Sequence, residues 1–510
     1  MSEDHKLKVE GFDRIKLKTR EDAQENSSTV VEQSDQSKMG DSSPPVNTGS
    51  VVEGTSKVIE QLAQQFSPQF GGDDTAKQPQ ITSTGSENQE GGAQKNDAAN
   101  NAPRSLVNPP ALPTQVADYG IHFDFNFAMR VSVPKPAEGE GWRVQFFDQD
   151  TSVILLDQPC FDMGHAATSK HHFLRGKIVV SKILKNGTQQ EVLAHEYNAT
   201  GKEVLIVFPV GSLGDSLGWM PYAERFRKKH NCKLTVAIGA PLVELFEKSY
   251  PDVTFINSED FAKQPQSEKE KFYASYYIGL FFDDEDNHWQ PHDFRQVGLH
   301  RTAGYILGVD PTEEPPKLTY SEDTRPIEEP YVVIATQAST QCKYWNNPYG
   351  WHKVIEFLKS VGYRVICIDK EMVYGRDLVW NHMPHGAEDQ TGARSLTERA
   401  RWLRHAEFFI GLSSGLAWLA WGAGIPVVII SGFTHPSTEF NTPYRVFSTH
   451  VCNGCWNDIR HKFDHQNFLF CPRHRDTPRQ FECTKGISHQ HVIDTILKIP
   501  GCRKEPITTA

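Results

Sequence analysis

A β-rich run at 204–208 passes into a loop holding Gly211, Gly214 and Asp215, and this junction constrains the fold more than any other stretch of the chain. Leu217, Met220, Ala223 and Phe226 follow at helical spacing, so the stretch 203–226 predicts strand, tight loop and helix. At the C-terminal edge of a parallel sheet, such a junction offers a ligand free backbone N–H groups and one polar side chain. Here that side chain is Asp215.

The same grammar recurs downstream. Strand-like runs at 234–238 and 253–256 alternate with helical stretches, and the first half closes with 294–307 before a Pro-rich linker at 310–317. A second half starts at Tyr331 and continues through a helix at 351–358, a strand at 365–368, a helix carrying Leu396, Ala400 and Leu403, a strand at 408–410, a helix, and a strand at 427–430. Two linked parallel-sheet domains create a cleft between their facing edges, the usual place for a ligand.

The N-terminal part has a different texture. Residues 1–117 are rich in Ser, Gln, Asn, Asp, Gly and Pro, a composition that cannot offset the entropy of ordering, and are expected to be disordered. One interruption at 56–66, with Val58, Ile59, Leu62 and Phe66 near one helical face, reads as a docking helix or as a transient helix with no partner. From 119 to 197, short alternating runs separated by Pro134, Gly139, Gly141 and the Asn186-Gly187 pair predict a small antiparallel β domain.

The charge balance, 53 basic against 64 acidic residues for a net −11, argues against a nucleic-acid backbone or an anionic membrane as the main partner. The start of the chain lacks an apolar h-region, and 408–432 parses as strand, turn, helix and strand rather than a membrane span. A soluble cytoplasmic protein without membrane insertion is expected.

Chemistry-bearing residues cluster after the strands. Asp215, beside a helix N-terminus, reads either as a helix cap or as a general base; an aspartate is a weak base, so it would act through position and desolvation. After the strand at 331, Thr336, Gln337, Ser339, Thr340 and Lys343 form a loop whose hydroxyls and ammonium suit a diphosphate. Glu371 and Met372 end the next strand, where a carboxylate suits ribose hydroxyls; a plain exposed glutamate fits equally well. Ser413, Ser414, Gly415 and Leu416 open another helix, with N–H groups and hydroxyls arranged as an anion nest or simply as a packed turn.

Three elements in order, Gly214-Asp215-Ser-Leu, Lys343-Tyr-Trp-Asn-Asn-Pro-Tyr-Gly-Trp and Gly411-Leu-Ser-Ser-Gly-Leu-Ala, resemble those of bacterial ADP-heptose-dependent glycosyltransferases with a GT-B fold. The lipopolysaccharide members of that group usually carry Asp-Thr where this chain has Ser413-Ser414. The resemblance implies an α/β, GT-B-like pair of Rossmann-type domains preceded by the β domain and the tail. The boundaries are 1–117 tail, 118–200 β domain, 201–325 acceptor domain with Gly214 and Asp215, 326–450 ADP-sugar domain, 451–490 finger, and 491–510 C-terminal helix and tail.

The finger is defined by Cys452-x2-Cys455-x15-Cys471-x11-Cys483, four soft ligands suited to tetrahedral zinc or iron. His450, His461, His465 and His474 lie nearby and offer a mixed Cys/His site as the alternative. With this finger the chain resembles the autotransporter O-heptosyltransferase family over about residues 118–500. That resemblance implies heptose transfer from ADP-glycero-manno-heptose to serine or threonine hydroxyls of autotransporter passengers, Fe(III) on the four cysteines and a large ring, a dodecamer. The alternatives are a lipopolysaccharide-core heptosyltransferase, which leaves finger and β domain unexplained, and a non-enzymatic binding module. For the latter, Arg460, His461, Lys462, Arg473, His474, Arg475 and Arg479 would supply a positive face, also suited to a partner or subunit contact.

Overall fold

The computed structural model describes residues 108–208 and 213–505, so 1–107 of the expected tail, the expected helix at 56–66 and Gly211 lie outside the described residues; 108–117 instead belong to the fold, with Gln115–Val116 paired antiparallel to the strand His122–Asn126 and Thr114 Oγ1 donating to Phe272 O at 2.7 Å. Two sheets organise the molecule. In the second half, six strands lie parallel in the order Glu388–Asp389, Arg364–Cys367, Tyr331–Ile334, Phe409–Leu412, Val427–Ile430, Arg445–Val446. Their Val/Ile/Leu runs are buried along nearly their whole length because helices cover both faces, as a parallel sheet requires. In the first half the parallel strands run Val253–Asn257, Lys233–Ile238, Glu203–Val207, Ala274–Tyr277.

Within the β region expected at 118–200, the strands divide between two sheets. Gly141–Asp148, Val153–Cys160, Gly176–Ile183 and Gln189–Glu196 do build a four-stranded antiparallel sheet. His122–Asn126, however, adds to the first parallel sheet beside Ala274–Tyr277, and Arg130–Val133 and Gly164–Ala167 follow it outward. The polar residues that alternate with Phe123 and Phe125 in this strand are closed off by tertiary partners. Asp124 receives two hydrogen bonds from Arg130 at 2.8 and 2.6 Å, and Asn126 accepts from Ser275 Oγ at 2.6 Å. Buried polar groups that are paired in this way sit inside a sheet without penalty, so the pattern did not mark solvent.

The two halves share one apolar core, which runs from Val204, Ile206 and Met220 through to Phe409, Trp418 and Phe440. Their seam is stitched by Leu299 N–H to Thr438 O at 2.9 Å and Asn441 N–H to Glu313 at 3.0 Å, and Trp219 Nε1–H braces the Leu299 carbonyl at 2.9 Å from within the first half. Burial pushes the Glu313 carboxyl up, but His300, the Asn441 N–H and Arg301 outweigh it and hold it at about 2. His300 Nε2, 3.3 Å away, lacks hydrogen-bond alignment, so we assign the lowering chiefly to Asn441 and Arg301. A lowered carboxyl stabilises the fold fully above its ordinary 4.5, and the contribution disappears as pH falls toward about 2. Thermal melts from pH 5 to pH 2 should therefore fall more steeply for the wild type than for Glu313→Gln; parallel curves would remove Glu313 from this role.

Candidate active site

Asp215 lies in the first turn of the helix Leu213–His230, one step later than the loop position the sequence suggested, and is 8% exposed. The four apolar positions that announced this helix, Leu217, Met220, Ala223 and Phe226, are all fully buried. Its N-terminus meets the N-terminus of the helix Gly415–Gly422 from the other half. A Cβ on Gly415 would lie 2.6 Å from Leu213 Cβ, and one on Gly214 would lie 2.7 Å from Trp418 Cδ1. Only glycine allows this approach, which places the positive ends of two helix dipoles beside Asp215.

Around that junction the donor-loop residues divide by what their polar atoms already hold. Thr336 gives its hydroxyl to Asp369 at 2.8 Å, and Asp369 also accepts the N–H groups of Thr336 and Gln337. Ser413 gives its hydroxyl to Glu439, which Arg445 holds at 2.8 Å. A hydroxyl has one proton, so neither donates to a phosphate while these bonds stand. They fix the loop instead. Thr340 pairs with Cys342 Sγ at 3.1 Å, whereas Ser339 is exposed. Gln337 Nε2 donates to Glu371 O at 2.7 Å, the Glu371 carboxylate lies 4.0 Å from Lys370, and Met372 is 49% exposed.

Two groups remain uncommitted. Ser414 Oγ, at the start of the second helix, is buried with no hydrogen-bond partner among the described residues. Lys343 Nζ sits 5.9 Å from the centre of the Trp456 ring, and among the described residues no carboxylate pairs with it. A buried hydroxyl without a partner is costly, and at a helix N-terminus it suits an anion, as does an ammonium that no carboxylate has claimed.

Cys452, Cys455, Cys471 and Cys483 line one small cavity together with Cys342, a fifth thiol that comes from the Lys343 segment. Burial and then the neighbouring thiols push Cys455 up to about 12, and Cys483 further. That mutual repulsion is what a bound cation relieves, and Arg473 Nη1, 3.7 Å from Cys452 Sγ, would support a thiolate. The donor set therefore fits a thiolate-loving metal. Cys452, His474 and Glu482 also bring ligand atoms within 4.8 Å of one another. Glu482 is engaged by Arg479 at 2.8 and 2.7 Å and by the Cys452 N–H, so it reads as a clamp on the turn. The positive face expected on the finger is largely neutralised from within. Asp458 takes Arg460 and Arg473, Glu482 takes Arg479, Asp476 takes Arg475, and Asp283 takes Lys462.

Residues 117–185 match the family described as glycosyltransferase TibC, N-terminal domain, and residues 305–468 match glycosyltransferase family 9 (heptosyltransferase). The autotransporter heptosyltransferase BAHTCr of Citrobacter rodentium (strain ICC168) is 49% identical over 396 residues, 77% of this chain and 92% of the relative. The chain belongs to the autotransporter heptosyltransferase family.

Crystal structures show the architecture of this family. That of the iron-containing dodecameric glycosyltransferase TibC from enterotoxigenic E. coli H10407 is 47% identical, covers 77% of this chain and 99% of that one, and superposes with a TM-score of 0.72. A second, of TibC with ADP-D-beta-D-heptose, has 47% identity, the same coverage and a TM-score of 0.71. The fold is thus the GT-B pair of Rossmann-type domains. An inactive autotransporter heptosyltransferase, BimC of Burkholderia thailandensis (strain E264), is 40% identical over 79% of this chain and 92% of its own length. Membership in the autotransporter heptosyltransferases therefore does not by itself supply turnover, and individual side chains must carry it.

Sequence reasoning missed Asp369, Glu439, Asn346 and Trp456. Asp369 carried a legible signal, a carboxylate at the end of a strand two positions before Glu371. Trp456 carried none, because its partners Phe282 and Phe294 are distant in the chain, and Glu439 carried none, because only packing sets its pairing with Ser413 and Arg445.

Proposed function

We propose that this protein transfers heptose from ADP-heptose to serine or threonine hydroxyls of an autotransporter passenger, with Asp215 as general base. The supporting observation is the meeting of the Asp215 and Ser414 helices at their N-termini, where the buried Ser414 Oγ has no partner among the described residues. The acceptor oxygen attacks the anomeric carbon as its proton passes to the Asp215 carboxylate, and the bond from that carbon to the diphosphate oxygen breaks. Lys343, the Ser414 hydroxyl and the N–H groups of Gly415 and Leu416 stabilise the departing ADP. Gly214 allows the close approach of the two helices, Thr336, Gln337, Thr340 and Ser413 fix the loops, and Ser339, Glu371 and Met372 border the nucleotide.

TibC is iron-containing and dodecameric, and we read the same metal and a like ring here, with Fe(III) on Cys452, Cys455, Cys471 and Cys483. The metal's contribution is to cross-link the finger, since four thiolates leave no open position for chemistry. Among the described residues no helix is long and apolar enough to cross a membrane, which fits the cytoplasmic site of action we assign. Coexpression with a candidate passenger should yield a ladder of heptose mass increments on the passenger. An unmodified passenger, with purified lipopolysaccharide core accepting heptose instead, would overturn the acceptor assignment.

A further inference from the structure

The segment that carries Lys343 is fastened to the finger on several sides. Gln341 donates its N–H to Phe468 O at 2.8 Å, Cys342 lines the thiol cavity, and Lys343 rests over Trp456. Asn346 ties the segment together. Its Oδ1 accepts from Gln341 Nε2 at 2.6 Å, and its Nδ2 reaches Gln341 O at 3.0 Å, Tyr344 O at 3.0 Å and Thr484 Oγ1 at 2.9 Å. Thr484 is 1% exposed and immediately follows Cys483, so a single hydrogen bond joins the donor loop to the residue beside a thiol of the finger. Trp345 Nε1 adds a bond to Ile487 O at 2.9 Å.

Trp456 in turn touches both halves. Its ring lies 5.6 Å from Phe282 and 5.9 Å from Phe294 of the first half, and 6.0 Å from Phe433 of the second. Asn457, the next residue, donates to Arg295 O at 2.7 Å. A finger that served only as an outward attachment surface would not need to bury its central aromatic at the junction of both domains and the donor loop.

We propose that the finger is the rear support of the ADP-sugar site, with Asn346 and Thr484 as positioning residues that hold Lys343 at the diphosphate. This rests on the reading of Lys343 as a phosphate contact. Metal binding and nucleotide binding are then coupled within one protomer, through the Thr484–Asn346 bond and the Trp456 ring. An exposed lysine on a free loop would have to lose much side-chain and backbone freedom on meeting a phosphate; here the loop is ordered beforehand.

Calorimetric titration of the intact, metal-loaded protein with ADP tests this in Asn346→Ala and Thr484→Val. Affinity should fall about tenfold, an ordinary coupling between two sites, with metal content by elemental analysis and assembled mass by light scattering unchanged. Should Asn346→Ala lose metal or assembly, Thr484→Val, which keeps the side-chain shape, decides alone. Lys343→Ala is titrated in parallel. Normal ADP affinity in Lys343→Ala overturns the phosphate assignment itself; weak binding there with wild-type affinity in Thr484→Val overturns the coupling and leaves that assignment standing.

Discussion

Asp215→Ala is expected to lower heptose transfer by about 10²–10⁴-fold, the usual worth of a positioned general base, while ADP-heptose still binds. Both halves of that outcome follow from geometry. The carboxylate belongs to the first half of the molecule, whereas Lys343, Ser414 and the Gly415 N-terminus belong to the second, so the donor pocket survives the substitution. Asp215 is buried in the first turn of its helix, at the positive end of the helix dipole. Asp215→Asn keeps the shape and the capping capacity and removes only the ability to take a proton. If Asn restores transfer to wild-type levels, the residue acts as a cap rather than a base. Rates should be measured by transfer from ADP-heptose to purified passenger, with donor affinity measured separately by calorimetry.

Cys455→Ser should lose its metal and its assembly before the chemistry at Asp215 is touched. Structural metal sites in small zinc domains contribute about 10–16 kcal/mol, far beyond the ordinary substitution effect of about 0.5–3 kcal/mol. Cys455 is the most buried of the four thiols, and its neighbour Trp456 supports both domains and Lys343. The variant should elute as smaller species, lack stoichiometric metal and bind ADP weakly. In the wild type, elemental analysis with a visible spectrum separates ferric iron, coloured by thiolate charge transfer, from colourless zinc. A fully assembled, metal-free Cys455→Ser protein would show that the finger holds without an ion.

The proposed coupling gives the two experiments a common thread. Loss of the finger weakens donor binding through the Lys343 loop, whereas loss of Asp215 leaves donor binding alone. A variant's pattern of affinity and rate therefore reports which side of the junction it disturbs.

Local periodicity was enough to place the central strands of the second sheet, since Val/Ile/Leu runs such as Val427–Ile430 have one stable environment, a parallel sheet covered on both faces, but it did not find Ala274–Tyr277 at the middle of the first. The Asp215 helix, the four-cysteine finger and the glycine-bearing turn at Ser413-Ser414 were legible for the same reason, being contiguous in the chain. That the strand carrying Asp124 and Asn126 joins the first parallel sheet was not legible, because these residues are paired by Arg130 and Ser275 and a sequence pattern does not say which polar groups find partners. Likewise Thr336 and Ser413 looked like phosphate donors until Asp369 and Glu439 took their protons. The sequence by itself determined the family, the strand-loop-helix units and the inventory of reactive groups. Only the tertiary structure decided which hydroxyls are spent and which are free, and that the finger stands behind Lys343, because hydrogen-bond satisfaction and burial belong to residues brought together from separate elements, such as Thr336 with Asp369 and Asn346 with Thr484.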